Sequence, residues 1–253
     1  MRPFITIILA LSLTLLAQKP MKDTITIISY NIHHGEGLDG KLDIERIADV
    51  VKRENPDIVA FQEVDVNVKR SGRIDEAQKL GELTGYKPFF GKAIPLTGGA
   101  YGNAIIAKDA EAVVAKHIPL PGAEPRCMIA IQTKDGQGRP FVFACTHLDL
   151  NDENRVKSVG IITEWVKGLT IPAIIVGDMN CQPGSAPYKA FEESWDAAWG
   201  DKPQPTFNAK KPRISIDHCF TYPKQSWQVA EIKVVEETVA SDHRPVKVTL
   251  ILK

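Results

Sequence analysis

Seven polar interruptions of apolar runs carry whatever chemistry this chain performs. "ISYNIHH" places Asn31 after one run and "AFQEVD" places Glu63 after another. "YGNAII" puts Asn103 at the head of a third, and "ACTHLD" ends a fourth near His147. "VGDMN" adds Asp178 and Asn180, "SIDHCF" adds Asp217, and "ASDHRPV" adds Asp242 and His243. Each alone reads as a turn former, a helix cap or a satisfied core histidine. Together they ask for more, because buried charges must be paired or bound to a metal. Carboxylates and amides without a thiolate pair suit a hard cation, Mg²⁺ or Mn²⁺. Two histidines and spare aspartates can handle protons. Oxygen ligands, histidines and an arginine are what hydrolysis of a phosphate ester requires. A metal neutralises the phosphate, an acid orients water, and cationic groups stabilise the developing charge.

The elements that must hold these residues follow from the hydrophobic pattern. "TITIISY" reads as a strand. "DIERIADVVKREN" reads as an amphipathic helix with Ile44, Ile47, Ala48 and Val51 on one face, capped by Asp43 and ended by Asn55-Pro56. "PDIVAFQEV" is a second strand, and "IDEAQKLGELTG" a helix closed by Gly85. "YKPFFG", "NAIIAK", "AVVAKHI", "CMIAIQT" and "PFVFACTHL" read as strands. A helix follows over 152–167 with Val159, Ile162 and Val166 inward, then the strand "PAIIVGD" and a short helix near 186–193. "ISIDHCF", "WQVAEIKVV" and "RPVKVTLIL" supply the last strands. The runs "DIVAF", "FVFAC" and "AIIV" are apolar throughout, as central strands covered on both faces are. "PDIVAFQE" and "PAIIVGD" also echo each other: each follows a helix, opens with proline, runs apolar and ends on an acid. The echo fits two similar halves packed together. Trp195, Trp199 and Trp227 read as packing residues.

The chain of 253 residues has zero formal net charge and no long basic run, which weighs against tight nonspecific duplex binding. Arg2 followed by an uncharged apolar stretch over 4–17 describes a secretory signal peptide, too short for a comfortable membrane span; an uncleaved N-terminal anchor is its other reading. The expectation is a signal over residues 1–20 and a single domain over 21–253, secreted or periplasmic, monomeric and without stable membrane insertion. Cys127, Cys145, Cys181 and Cys219 form no CxxC pair and read as free thiols.

The ordered set "YNIHHG", "QEVD", "YGNAI", "THLD", "GDMN", "IDHCF" and "SDHRPV" resembles the endonuclease/exonuclease/phosphatase superfamily across nearly the whole mature chain. The resemblance implies a four-layer α/β/β/α sandwich with two packed mixed β-sheets. It implies Glu63 as principal metal ligand, with Asn31 close to the metal and Asp242 near it. Asp178 would orient or deprotonate the attacking water, and Asn180 would hold the phosphate or the nucleophile. His243 would contact a phosphate oxygen. His147 matches the other histidine, for phosphate binding or proton transfer, and Asp217 matches the acid that often orients that histidine. Asn103 matches a phosphate-side polar position. Arg126 matches an arginine near the scissile phosphate; a surface salt bridge with Glu124 is its other reading. Where abasic-site enzymes carry an acid two residues after the first asparagine, this chain has His33, so a second metal position would differ. Arg70 and Arg73 read as a solvated loop rather than a cleft rim. Lys210, Lys211 and Arg213 either meet a polyanion or flank a loop. The implied activity is Mg²⁺- or Mn²⁺-dependent hydrolysis of a phosphate ester, in the first instance a diester. A secreted nuclease acting on DNA or RNA, and a phosphate-ligand binder without catalysis, are the alternatives.

Overall fold

The computed structural model describes residues 23–253, so the expected signal segment lies outside the described residues. The elements run in the order β1 (Ile25–Asn31), α1 (Ile44–Glu54), β2 (Ile58–Val66), α2 (Glu76–Thr84), β3 (Lys87–Leu96), β4 (Gly99–Ala107), β5 (Val113–Leu120) and β6 (Arg126–Lys134). There follow β7 (Pro140–His147), α3 (Asp152–Lys167), β8 (Ala173–Asp178), α4 (Ala186–Glu192), β9 (Asp196–Ala197), β10 (Asp217–Tyr222), β11 (Trp227–Val234) and β12 (Val246–Leu252). The sequence pattern anticipates all of these except β9, whose two residues are too few to show any period.

Two six-stranded sheets result, ordered β11-β12-β1-β2-β4-β3 and β5-β6-β7-β8-β10-β9. The pairs β1–β2 and β7–β8 are parallel and every other pairing is antiparallel. Strand alternation then sorts the side chains. Ile25 and Ile27 of β1 join Ile58, Phe143, Cys145, Val176 and Cys219 in a core between the sheets. Ile28 and Tyr30 point the other way, onto Ile47 and Val51 of α1 and Leu80 of α2. The outer face of the second sheet, through Ala144 and Ile175, meets Val159, Ile162 and Val166 of α3 and Tyr188 and Phe191 of α4. Three apolar interfaces between four layers make the α/β/β/α sandwich, and burial on both faces explains the unbroken apolar runs.

The helices begin and end as their sequences direct. Asp43 Oδ1 accepts from the Arg46 amide at 3.0 Å, and Asn55 closes α1 in the left-handed region at φ 49°. Gly85 closes α2 at φ 75°. All four cysteines are free and buried, and Trp195, Trp199 and Trp227 are buried in packing positions. Among the described residues no helix is long and apolar enough to cross a membrane.

The sequence echo has a structural counterpart. In each sheet a strand, a covering helix and a parallel strand are followed by an antiparallel neighbour: β1, α1, β2 and β4 in one, β7, α3, β8 and β10 in the other. Parallel strands present their carboxyl ends together, the usual place for a site in such sheets. Here those ends are Asn31 and the Glu63 region in the first sheet, and His147 and Asp178 in the second.

Candidate active site

The second sheet aligns its polar strand ends by register. His147 on β7 and Asp217 on β10 both pair with Asp178 on β8, one from each side. Gly177 makes this close array possible, since a Cβ there would lie 1.8 Å from the Thr146 carbonyl oxygen. Asp178 Oδ2 is 3.5 Å from His147 Nε2 and 3.6 Å from His243 Nε2, and accepts from the Asn31 amide at 3.1 Å. Asp178 Oδ1 accepts from the Asn180 main-chain amide at 2.9 Å, the kind of turn that Gly-Asp-Met-Asn favours. The Asn180 side chain donates to the Leu148 carbonyl at 2.9 Å, which ties it to the end of β7. His243 arrives from the segment before β12 of the other sheet. Its Nδ1 donates to Asp217 Oδ2 at 2.9 Å, and the Thr206 hydroxyl donates to the same oxygen. The resemblance assigned Asp217 to His147; it bonds His243 instead. Register explains the difference, because β8 lies between β7 and β10 and separates Asp217 from His147.

The first sheet exposes its acid by breaking register. The β2–β4 pairing jumps between Phe61 and Val64, and Glu63 adopts φ 58°. A β-bulge adds a residue and re-aims a side chain, and a left-handed non-glycine residue marks strain of the sort found at functional sites. Asn31 then joins the halves, since its Nδ2 donates to Glu63 Oε1 and to Asp178 Oδ2, both at 3.1 Å. The Ser241 hydroxyl donates to the Asn31 carbonyl at 2.7 Å and lies 3.3 Å from Asp242 Oδ1, fastening "SDH" to the end of β1.

Burial and charge separate the two histidines. Burial alone would lower the His243 pKa, but Asp217 and Asp178 together outweigh it and hold the imidazolium. Burial, then Arg126 and His243, press His147 well below the ordinary histidine value and keep it neutral. Arg126 Nη1 lies 3.5 Å from His147 Nδ1, a donor facing an acceptor, which leaves Nε2 protonated toward Asp178. Burial pushes Asp178 upward while His243 opposes it. Paired groups driven to opposite protonation states are a common acid–base arrangement.

These groups open on a cleft of about 830 Å³ walled by Glu63, Arg126, His147, Asp178, Asn180, Asp242 and His243 among others. Asn31 and Asp217 sit behind that wall as supports. Asn103 is also behind it, buried opposite the bulge, with its amide donating to the Cys127 carbonyl at 2.9 Å. Arg126 lines the cleft and also pairs with Glu124 at 3.0 Å. Arg70 lies in an exposed turn, as read, but its side chain is not free there. It grips the fully buried Asp65 through two bonds of 2.8 and 2.9 Å and lines the cleft. Arg73 is exposed and outside the wall. Lys210, Lys211 and Arg213 line an adjoining hollow that shares Phe207 and Ile214 with the cleft. Sequence reasoning missed Arg155, Tyr101 and Phe207 on the wall, and Thr206 and Ser241 behind it. Ser241 was readable from its place beside Asp242. The others carry no local signal.

A hard divalent cation fits the residues present. Glu63 and Asp178 each turn a carboxylate oxygen onto the Asn31 side-chain amide, so two acidic oxygens converge where the sheets meet. The donors at that point are oxygens, with Asp242 on the same wall.

Comparison with known proteins agrees with this architecture. The uncharacterized protein YbhP of Escherichia coli strain K12 is 22% identical over 243 residues, spanning 89% of this chain and 96% of YbhP. An endonuclease/exonuclease/phosphatase family protein from Bacteroides thetaiotaomicron superposes with a TM-score of 0.75 at 22% identity, covering 91% of this chain and 98% of that one. The mannosyl-6-phosphatase Bt3783 of the same organism superposes with a TM-score of 0.73, also at 22% identity, covering 90% of this chain and all of its own. Members of the endonuclease/exonuclease/phosphatase family generally hydrolyse phosphate esters and typically depend on divalent metals. The family's sequence profile matches residues 28–243, and this chain belongs to the endonuclease/exonuclease/phosphatase family.

Proposed function

We propose that the chain is an exported, Mg²⁺- or Mn²⁺-dependent phosphodiesterase that cleaves its substrate by in-line attack of water. The observation that carries this reading is the pairing of opposite tools on one carboxylate: Asp178 faces a cationic His243 and a neutral His147 at 3.6 and 3.5 Å. Glu63 and Asp242 would hold the cation, with Asn31 close to it, and the cation when bound would neutralise phosphate charge and make a bound water more acidic. Asp178 orients the attacking water and draws on its proton. Asp217 holds the His243 ring so that Nε2 faces a phosphate oxygen, where its charge is worth most in a dry site. Arg126 supplies a second positive group. Neutral His147 binds phosphate or relays a proton. Asn180, held by Leu148, keeps its carbonyl oxygen for the nucleophile or the phosphate. Asn103 acts indirectly, by packing opposite the bulge that presents Glu63.

The test is hydrolysis of bis-p-nitrophenyl phosphate and p-nitrophenyl phosphate by the mature protein, with chelator, with Mg²⁺ and with Mn²⁺. Metal-dependent turnover favouring the diester is expected. Binding of phosphate esters without turnover would replace the enzyme with a binding protein. A panel of DNA, RNA, phospholipids and sugar phosphates then fixes the substrate; preferred cleavage of DNA or RNA would make it a secreted nuclease, which the neutral charge argues against. Export rests on the Arg2-led apolar segment, and N-terminal sequencing of protein from its own cells should find residues 1 to about 20 removed.

A further inference from the structure

His33 and His34 have no part in the chemistry above, yet the same residue stands against both rings. Glu36 engages one nitrogen of each. His33 Nδ1 lies 3.2 Å from the Glu36 main-chain carbonyl oxygen, and His34 Nε2 lies 3.4 Å from Glu36 Oε2. An acceptor on one ring nitrogen puts the proton there and leaves the other nitrogen's lone pair for a cation. The nitrogens left over are Nε2 of His33 and Nδ1 of His34. Among the described residues neither makes a hydrogen bond, and His34 Nδ1 is sealed from solvent. A buried polar atom without a partner is uncommon and asks for an explanation.

The third group is Glu63. One nitrogen of each ring and one Glu63 carboxylate oxygen all lie within 4.8 Å of one another. Glu63 Oε1 accepts from Asn31, which leaves Oε2 free on the same carboxylate. The main chain is committed to this cluster, since His33, His34 and Glu63 adopt φ values of 45°, 43° and 58°. Imidazoles change the metal preference. Mg²⁺ favours oxygen donors, whereas two imidazoles and a carboxylate suit Zn²⁺ and its neighbours and leave a position open.

We propose that His33, His34 and Glu63 form a second cation site, of Zn²⁺ rather than Mg²⁺ type, that shares Glu63 with the oxygen-ligated position. The proposal rests on the reading of Glu63 as a metal ligand, but it concerns binding and is tested without turnover. Co²⁺ serves as a spectroscopic stand-in for Zn²⁺. The metal-stripped mature protein is titrated with Co²⁺ in excess Mg²⁺, followed by visible d–d absorption and by calorimetry. One Co²⁺ per chain should bind with strong absorption that excess Mg²⁺ does not displace. Glu36→Ala should weaken Co²⁺ binding by about 10-fold or more, as loss of an outer partner does. His33→Ala and His34→Ala should weaken it further and leave Mg²⁺ binding unchanged. Near-ultraviolet dichroism checks folding, and if His34→Ala misfolds, half-buried His33 carries the test. Equal Co²⁺ affinity in wild type and His33→Ala, or displacement by equimolar Mg²⁺, overturns the proposal. An intact Co²⁺ site in a protein that cleaves no phosphate ester overturns only the hydrolase reading. Mg²⁺-dependent cleavage without a Co²⁺ site overturns only this one.

Discussion

The two sheets share a strand plan and end it in opposite ways. β8 holds register through its last residue, so Asp178 is buried between His147 and Asp217 and cannot move without breaking both pairings. β2 loses register two residues earlier, and Glu63 turns out through a left-handed backbone into the cleft, half-buried. A bulge lets a strand present a side chain that a regular ladder would hide. The carboxylate of the regular strand is enclosed by groups that carry protons. That of the bulged strand opens on the cleft. One β-α-β plan thus yields an enclosed carboxylate beside two histidines and an accessible carboxylate on the cleft, to which the proposed function gives the proton and the cation, and Asn31 bonds to both acids where they meet.

The sharpest way to break that contrast is Asp178→Asn, which preserves shape and hydrogen bonding but cannot take a proton. It should lower kcat by about 10²–10⁴-fold. Adding Mg²⁺ or Mn²⁺ should not restore it; rescue to near the wild-type rate would make Asp178 a metal ligand and His147 the next candidate for the base. Glu63→Gln should also lose activity severely, by about 10²-fold, but through a raised metal requirement. A metal titration of rate distinguishes the two, and an unchanged requirement would remove Glu63 as the main ligand.

His243→Ala should cost about 10²–10³-fold, the loss of a charge aimed at phosphate. Asp217→Asn should cost less and leave a signature in pH. Burial already lowers the His243 pKa, and Asp217 is the largest of the three carboxylates that raise it. Without Asp217 only Asp178 and Asp242 hold the proton, so the imidazolium is lost at lower pH and the alkaline limb of the kcat profile should shift downward. A limb that stays in place would show that Asp217 does not set the charge of His243.

The smallest effect tests the burial of the second sheet away from the cleft. His218, next to Asp217 on β10, faces the α3–α4 layer and donates through Nε2 to the Cys181 carbonyl at 2.8 Å. Burial lowers its pKa from 6.5 to about 4. As pH falls, the unfolded chain therefore takes up this proton first. Stability is whole above about pH 6.5 and declines toward pH 4, by at most about 3 kcal/mol. Urea unfolding between these pH values should show the decline in wild type and a flatter profile in His218→Gln.

Most elements were legible because both faces of the central strands are covered. "DIVAF", "FVFAC" and "AIIV" could be nothing but core, and the acids that end them stood out against it. Asp43, Asn55 and Gly85 marked helix ends through local hydrogen bonding and backbone preference, which need no tertiary partner. Legibility failed where a role depended on contact between distant segments. Arg70 sits in "KRSGRID", which looks like any polar loop until buried Asp65 is found beneath it. Arg155 is one polar residue in the first turns of α3, and only the fold brings it to the wall.

The sequence by itself determined which residues interrupt the core, in what order, and on which strand ends. Composition and periodicity are local properties, and so were enough for the strands and helices and for the roster of acids, amides and histidines; the four layers were what the family resemblance implied. The tertiary structure decided who meets whom. It joined Asp217 to His243 across two sheets, placed Asn31 between Glu63 and Asp178, and set Asn103 behind the wall rather than in it. These outcomes follow from strand register and from the bulge in β2, each set by pairing between segments far apart in the chain, which no local pattern encodes.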